Sequence, residues 1–202
     1  MTTSASADEP TLPVGSFSAW LSGMRRALAG ETDADVPCGE CTACCRSSQF
    51  VHIGPDEADA LAHVPAALLF PAPGRPPGHV LMGYDKHGSC PMLVDDRCSI
   101  YAHRPRTCRA YDCRIFPATG LDPAADDKPA IARQASRWRF DLSTDGDRHD
   151  QAALRAAVAA VQARPDAPPS QTARAVLAVD LGVSGASRYD RDEFDHPGGT
   201  EP

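Results

Sequence analysis

Phe17, Trp20, Leu21, Met24 and Leu28 follow the i, i+3, i+4, i+7 spacing of one helical face. Ser16 is placed to cap that helix and Gly30 to stop it, and the stripe reads as core. Pro55-Asp56-Glu57 writes a second helix start, continued by Ala60, Leu61 and Val64, and Pro65 divides it from the apolar run 66–70. Residues 71–78, Pro-Ala-Pro-Gly-Arg-Pro-Pro-Gly, are loop by composition. Strand-like runs follow at 79–84, 90–94 and 98–101, separated by Asp85-Lys86-His87-Gly88 and by the turn residues Asp95-Asp96-Arg97. They predict a small antiparallel meander whose second and third strands begin at Cys90 and Cys98. Pro105 suits the first turn of a short helix carrying Cys108, with Cys113 just beyond it. Trp138, Phe140 and Leu142 alternate with Arg137, Arg139 and Asp141, as in a half-buried strand. The Ala-rich segment 151–163, with Leu154, Val158 and Val161, predicts a helix, and another runs from about Gln171 to Leu181.

Residues 1–13 are small, polar and proline-punctuated, and residues 182–202 are polar and Gly/Asp-rich, so both ends are expected to be disordered tails. The remainder, 14–181, has the length of one domain. The expected fold class is α+β: a mainly helical single domain with a small antiparallel β-meander beside a cysteine-ligated metal site. No internal repeat of fixed period is present. Hydrophobic residues make up 42% of the chain, but Ala supplies much of that and aromatics reach only 6%, so the core is modest. Ligands gathered only in the folded state would offset it, because metal binding then couples to folding.

A formal charge of -7 argues against broad, non-specific nucleic-acid binding, which needs a basic face. No stretch approaches a transmembrane span. The N-terminal residues lack both a basic and an apolar region of the secretory kind, so the expected location is cytoplasmic. There thiols stay reduced, and clustered cysteines more often hold metals than form disulfides.

Eight cysteines are present, four of them in the run Cys38-Gly39-Glu40-Cys41-Thr42-Ala43-Cys44-Cys45, followed by Cys90, Cys98, Cys108 and Cys113. Thiolates are soft ligands, and a C-x2-C-x2-C loop lets three converge on one centre. The bacterial ferredoxin pattern would place the fourth cysteine after three residues and before proline; here Cys45 follows at once and Arg46 replaces the proline. In an extended loop Cys44 and Cys45 would face opposite ways. Cys38, Cys41 and Cys44 would then serve one centre, completed by a distant cysteine, and Cys45 a second centre or a second metal of a cluster. Two four-sulfur sites satisfy the sum, as does a cluster with fewer ligands plus spare thiols. Arg46, Arg97, Arg109 and Arg114 each adjoin a cysteine and would favour the thiolate form. His52 and His103 lie nearest the cysteines among the histidines and are candidates to replace a thiolate in a mixed zinc site. No phosphate-binding glycine loop, dinucleotide fingerprint or nucleophile elbow is present.

The order Cys38-x2-Cys41-x2-Cys44-Cys45, Cys90-Pro91-Met92-Leu93, Cys98-Ser99-Ile100-Tyr101 and Arg104-Pro105-x2-Cys108-Arg109-x-Tyr111 resembles the CxxCxxCC zinc- or iron-chelating family over residues 38–117. The resemblance implies zinc or an iron–sulfur cluster as cofactor, held by Cys38, Cys41, Cys44, Cys45, Cys90, Cys98 and Cys108, and Cys113, which extends the pattern, is added to these candidate ligands. Tyr101, Arg104 and Arg109 match non-cysteine positions of the pattern, and Arg104 or Arg109 would donate hydrogen bonds around the centre. Three functions stay open. The first is a metal-binding protein whose partner is the ion or cluster itself. The second is an iron–sulfur redox enzyme, or one resembling the S-adenosylmethionine-dependent protein methyltransferases that carry a related cysteine pattern. The third is a metal-free thiol switch. Whether the chain is an enzyme, and which protein it meets, are not legible in it.

Overall fold

The computed structural model describes residues 10–34 and 36–181. Two small hydrophobic cores organise them. The chain opens with β1 (Leu12–Ser16) and α1 (Phe17–Leu28). Ser16 caps α1 as its spacing predicts, its Oγ accepting from the Ala19 amide, and Gly30 follows the helix end in the left-handed region at φ +75°. β2 (Val51–Ile53), α2 (Ala58–His63), β3 (Leu69–Pro71) and β4 (Val80–Met82) come next. The short pair β5 (Leu93–Val94) and β6 (Arg97–Cys98) leads to α3 (Arg106–Ala110) and α4 (Ile115–Thr119). The chain continues through α5 (Pro129–Ala135), β7 (Trp138–Asp141), α6 (Asp145–Gln162) and α7 (Gln171–Leu181).

The first core joins α1 to α4, α5, α6 and α7 through Phe17, Trp20, Met24, Phe116, Ile131, Leu154, Val161 and Val179. β1 and β7 pair in parallel beside it, from Leu12 opposite Trp138 to Ser16 opposite Asp141. The register slips between Pro13 and Gly15, and Gly15 takes φ +91°, which a side chain would resist at that bulge. Leu12 and Pro13, expected in the tail, are thus paired strand residues. Residues 182–202, the other expected tail, lie outside the described residues.

Helix α6 starts at Asp145, six residues before the Ala-rich segment that announces it. Thr144 provides the start, its side chain accepting from the Asp147 amide. Asp147 also binds α1: Ser16 Oγ and the Ser18 amide donate to its Oδ1 at 2.7 and 2.9 Å, and Thr144 Oγ1 donates to Oδ2 at 2.5 Å. One carboxylate therefore sits at the N-termini of two helices, where the positive end of each backbone dipole favours it.

The second core gathers Val51, Ile53, Ala60, Val64, Met82, Met92 and Ile100. Its sheet is antiparallel in the order β2-β4-β3. The expected meander does not form. β4 pairs with β2 and β3, while β5 and β6 make a separate two-stranded hairpin. The second run cannot begin as a strand at Cys90, because the Cys90 amide donates to the Cys45 carbonyl at 2.7 Å and Pro91 has no amide to give. Asp95 and Asp96 both adopt positive φ, +48° and +58°, the two-residue turn that matches strand twist in a tight hairpin. The mixed α+β class with small sheets stands, and no described helix is long and apolar enough to cross a membrane.

Candidate metal centre

The quartet is shaped by its own backbone. The Cys41 amide donates to the Cys38 carbonyl at 2.9 Å around Gly39, which takes φ +55°. Cys44–Arg46 then forms a 3-10 turn, and Ser47 Oγ closes back on the Ala43 carbonyl at 2.6 Å. The premise of an extended Cys44-Cys45 pair is corrected here: on a 3-10 turn successive side chains diverge by about 120°, not 180°. Cys44 and Cys45 share a side-chain hydrogen bond.

The later cysteines reach the quartet by different routes. Cys90 is tied to Cys45 through the amide–carbonyl bond described above. Cys98 stands on β6 opposite Leu93, and Cys108 lies in α3, whose first turn follows Pro105. Cys113 follows Asp112, a carboxylate only 3% exposed. Asp112 accepts from Trp20 Nε1 at 2.9 Å and from the Arg114 backbone amide at 2.8 Å, and pairs with the Arg114 guanidinium at 2.8 Å. That buried pair fixes the loop presenting Cys113.

All eight cysteines line one cavity of about 1170 Å³, and none is in a disulfide. The cavity lies where the two cores meet. Cys44 and Cys113 pack against the first, and Cys90, Cys98 and Cys108 against the second. The thiols surround the space without closing on a point. Among the described residues, the group whose ligand atoms already lie within 4.8 Å of one another is Asp59, His63 and His103, not a set of cysteines.

Burial and mutual repulsion set the thiol chemistry. Burial foremost, with the charges of Cys44, Cys90 and Cys98 adding to it, pushes the Cys108 thiol up to about 12. Burial also raises Cys113 to about 12, with the Asp112, Cys38 and Cys41 charges adding to it; against these, Trp138 Nε1 donates to Cys113 Sγ at 3.3 Å. Cys90 is raised, by burial first. Cys45 is raised by donating its hydrogen bond to Cys44, and that same bond lowers Cys44 to about 7. The charges that act on one another fall into neighbourhoods: Cys113 with Cys38 and Cys41, and Cys45 with Cys90 and Cys108, with Cys44 bearing on both. A dense set of free thiols with soft sulfur donors fits zinc or iron.

The arginines divide differently from their sequence adjacency. Arg46 pairs with Asp96, Arg109 with Asp33 at 3.2 Å and Arg114 with Asp112, so these cations are engaged by carboxylates. Arg104, which adjoins no cysteine, is the cation that favours the thiolates of Cys38, Cys44 and Cys108. Its guanidinium lies 3.7 Å from the centre of the Tyr101 ring, and its Nε donates to the Tyr101 carbonyl at 2.8 Å. Arg104, Arg109 and Tyr101 all line the cavity; no histidine does among the described residues. His52 pairs instead with His79, their ring nitrogens 2.9 Å apart, and His103 with Asp59.

Two neighbours were not signalled by the pattern. Trp138 reads as a strand residue, yet its indole reaches Cys113 across 25 positions of sequence. Tyr111 reads only as a motif position, yet its ring packs on the first core and its hydroxyl is buried. Nothing local to either residue announces this, since both arise from packing of distant segments.

Residues 37–134 match the model of the CxxCxxCC family, described as a "Putative zinc- or iron-chelating domain". No curated protein and no solved structure matches the chain.

Proposed function

We propose, from the membership of residues 37–134 in the CxxCxxCC family, that this chain binds zinc or iron through Cys38, Cys41, Cys44, Cys45, Cys90, Cys98, Cys108 and Cys113. The observation that carries the proposal is the convergence of all eight thiols, from two distant stretches of chain, on one cavity. We divide them into two four-sulfur sets. Cys38, Cys41, Cys44 and Cys113 form one, and Cys45, Cys90, Cys98 and Cys108 the other. The division follows the neighbourhoods of charge and the packing of Cys113 and Cys108 on opposite cores. Sulfurs at tetrahedral zinc stand about 3.8 Å apart, given Zn–S bonds of about 2.3 Å. Binding must therefore draw the walls of the cavity inward. The domain so organised begins at residue 12, where Leu12 and Pro13 pair with Trp138 and Arg139, and runs to 181, and a reducing compartment, the cytoplasm, suits its chemistry.

A four-thiolate zinc leaves no open coordination position and would be structural, whereas an iron–sulfur centre would permit electron transfer. Anaerobic purification followed by metal and acid-labile sulfide analysis decides between them. Colourless protein with stoichiometric zinc selects the first, and brown protein with sulfide the second. Reduced protein that takes up neither metal overturns the proposal and leaves the thiol switch.

A second reading is favoured by one observation. The cavity is larger than a metal centre requires and is lined by Arg104, Arg109 and Tyr101. A redox or methyl-transfer enzyme acting beside the centre needs such a space. It also needs one metal position free of protein ligands, which X-ray absorption on the loaded protein measures directly.

A further inference from the structure

Outside the lining of the cysteine cavity, and made of no cysteine, a second set of ligand groups converges. Asp59 and His63 occupy i and i+4 of α2, one face of the helix. His103 ends the 3-10 turn Tyr101–His103. The rings of His63 and His103 lie nearly parallel, 4° apart in plane, with centroids separated by 3.5 Å. His103 Nδ1 is 3.0 Å from Asp59 Oδ2, and His63 Nδ1 is 2.8 Å from the Asp59 carbonyl and 3.6 Å from Oδ1. Both rings thus turn the same nitrogen toward one aspartate.

We propose that Asp59, His63 and His103 bind a divalent transition-metal ion of the zinc class at a site separate from the cysteine cavity. Two imidazoles and a carboxylate are borderline donors that suit zinc, cobalt, nickel or copper(II) better than magnesium or calcium. The geometry is close to what the ion requires. Nitrogens on a tetrahedral zinc stand about 3.3 Å apart, given Zn–N bonds of about 2.0 Å. The ligand atoms already lie within 4.8 Å of one another, and the parallel rings must tilt to aim both lone pairs at one ion. Asp59 supplies the anionic ligand, its carboxylate facing His103 Nδ1 at 3.0 Å and His63 Nδ1 at 3.6 Å. All three side chains are solvent-accessible, the imidazoles about two-fifths exposed, so an ion enters without opening the fold. Three protein ligands leave the fourth position to water, as exchangeable sites do.

The site has a mechanical consequence. His103 belongs to the segment between Cys98 and Cys108 that also carries Tyr101 and Arg104 at the cavity wall. An ion there pins that wall to α2. The proposal uses none of the cysteines and stands or falls apart from them.

The test is a zinc titration of the full reduced chain, wild type against the His63→Ala/His103→Ala double variant, read by calorimetry and by side-chain 15N NMR of the histidines. The wild type is expected to take up one more ion than the variant, with zinc-dependent shifts at the His63 and His103 nitrogens. Asp59→Asn should lower the affinity of that extra ion at least about tenfold, the loss that even an outer-sphere partner produces. Circular dichroism verifies that each variant remains folded. Equal stoichiometry in wild type and variant, or shifts confined to His52 and His79, overturns the proposal. If the cysteines take up no metal, the wild type still binds the one ion and the variant none, which separates the two failures.

Discussion

Asp112 is the residue on which the placement of Cys113 depends. It is buried, accepts from the Trp20 indole, and is ion-paired with Arg114. Removing the carboxylate breaks a buried ion pair and takes the acceptor from the Trp20 indole N–H, a loss of about 3–5 kcal/mol. Asp112→Ala is therefore expected to lower the unfolding free energy by that amount in urea denaturation. The cysteines themselves were legible as a group, because their spacing and number carry information without any fold. The groups that tune them were not. Arginine next to cysteine in sequence suggested four cations, but Arg46, Arg109 and Arg114 turn to Asp96, Asp33 and Asp112. Arg104 acts from a distance, and the Trp138 N–H reaches Cys113 from another strand. Adjacency along a chain says little about where a long side chain ends.

At the scale of elements, helices with a full amphipathic stripe were the most legible. α1 falls where its periodicity puts it, because a repeated apolar face has one way to be buried, and α7 spans the segment expected for it. Strands of three residues carry too few alternations to be read, and β2 and β3 went unseen. The start of α6 was missed as well, since Thr144 and Asp147 act through a capping network and not through hydrophobicity. That network makes a prediction. Hydrogen bonds from the Ser18 amide, Thr144 and Ser16 hold the Asp147 carboxyl well below its ordinary value of 3.8. A depressed carboxyl contributes stability above its unfolded value and loses it as the pH falls. Asp147→Asn should thus melt at lower temperature than wild type near neutrality. The difference should narrow as the pH drops below about 3.8, measured by thermal denaturation across pH.

For the whole molecule, the cavity sits at the junction of two cores, each small for independent stability. An ion held by thiols from both sides would join them, and its removal would let them part. Chelator treatment of loaded protein is expected to lower the melting temperature and to speed proteolysis in the region of residues 38–45. Metal uptake must also displace protons, since burial holds Cys108 and Cys113 protonated up to about 12. Apparent affinity should therefore rise with pH throughout the neutral range, with proton release in a weakly buffered titration. Uptake without proton release would show that these thiols are not the ligands.

The sequence by itself determined which atoms are available: eight soft sulfurs, one amphipathic helix to seat the chain, and an acidic balance that argues against broad nucleic-acid binding. It also determined local geometry where that depends on neighbours alone, as at the Asp95-Asp96 turn. Tertiary structure decided everything that requires distant segments to meet. It replaced the meander by a β2-β4-β3 sheet and a separate hairpin, and brought Leu12 beside Trp138. It also turned Arg104 toward the thiols and set His63 against His103. Periodicity and spacing encode what one segment can do, whereas contacts between segments depend on how all of them share a limited apolar interior.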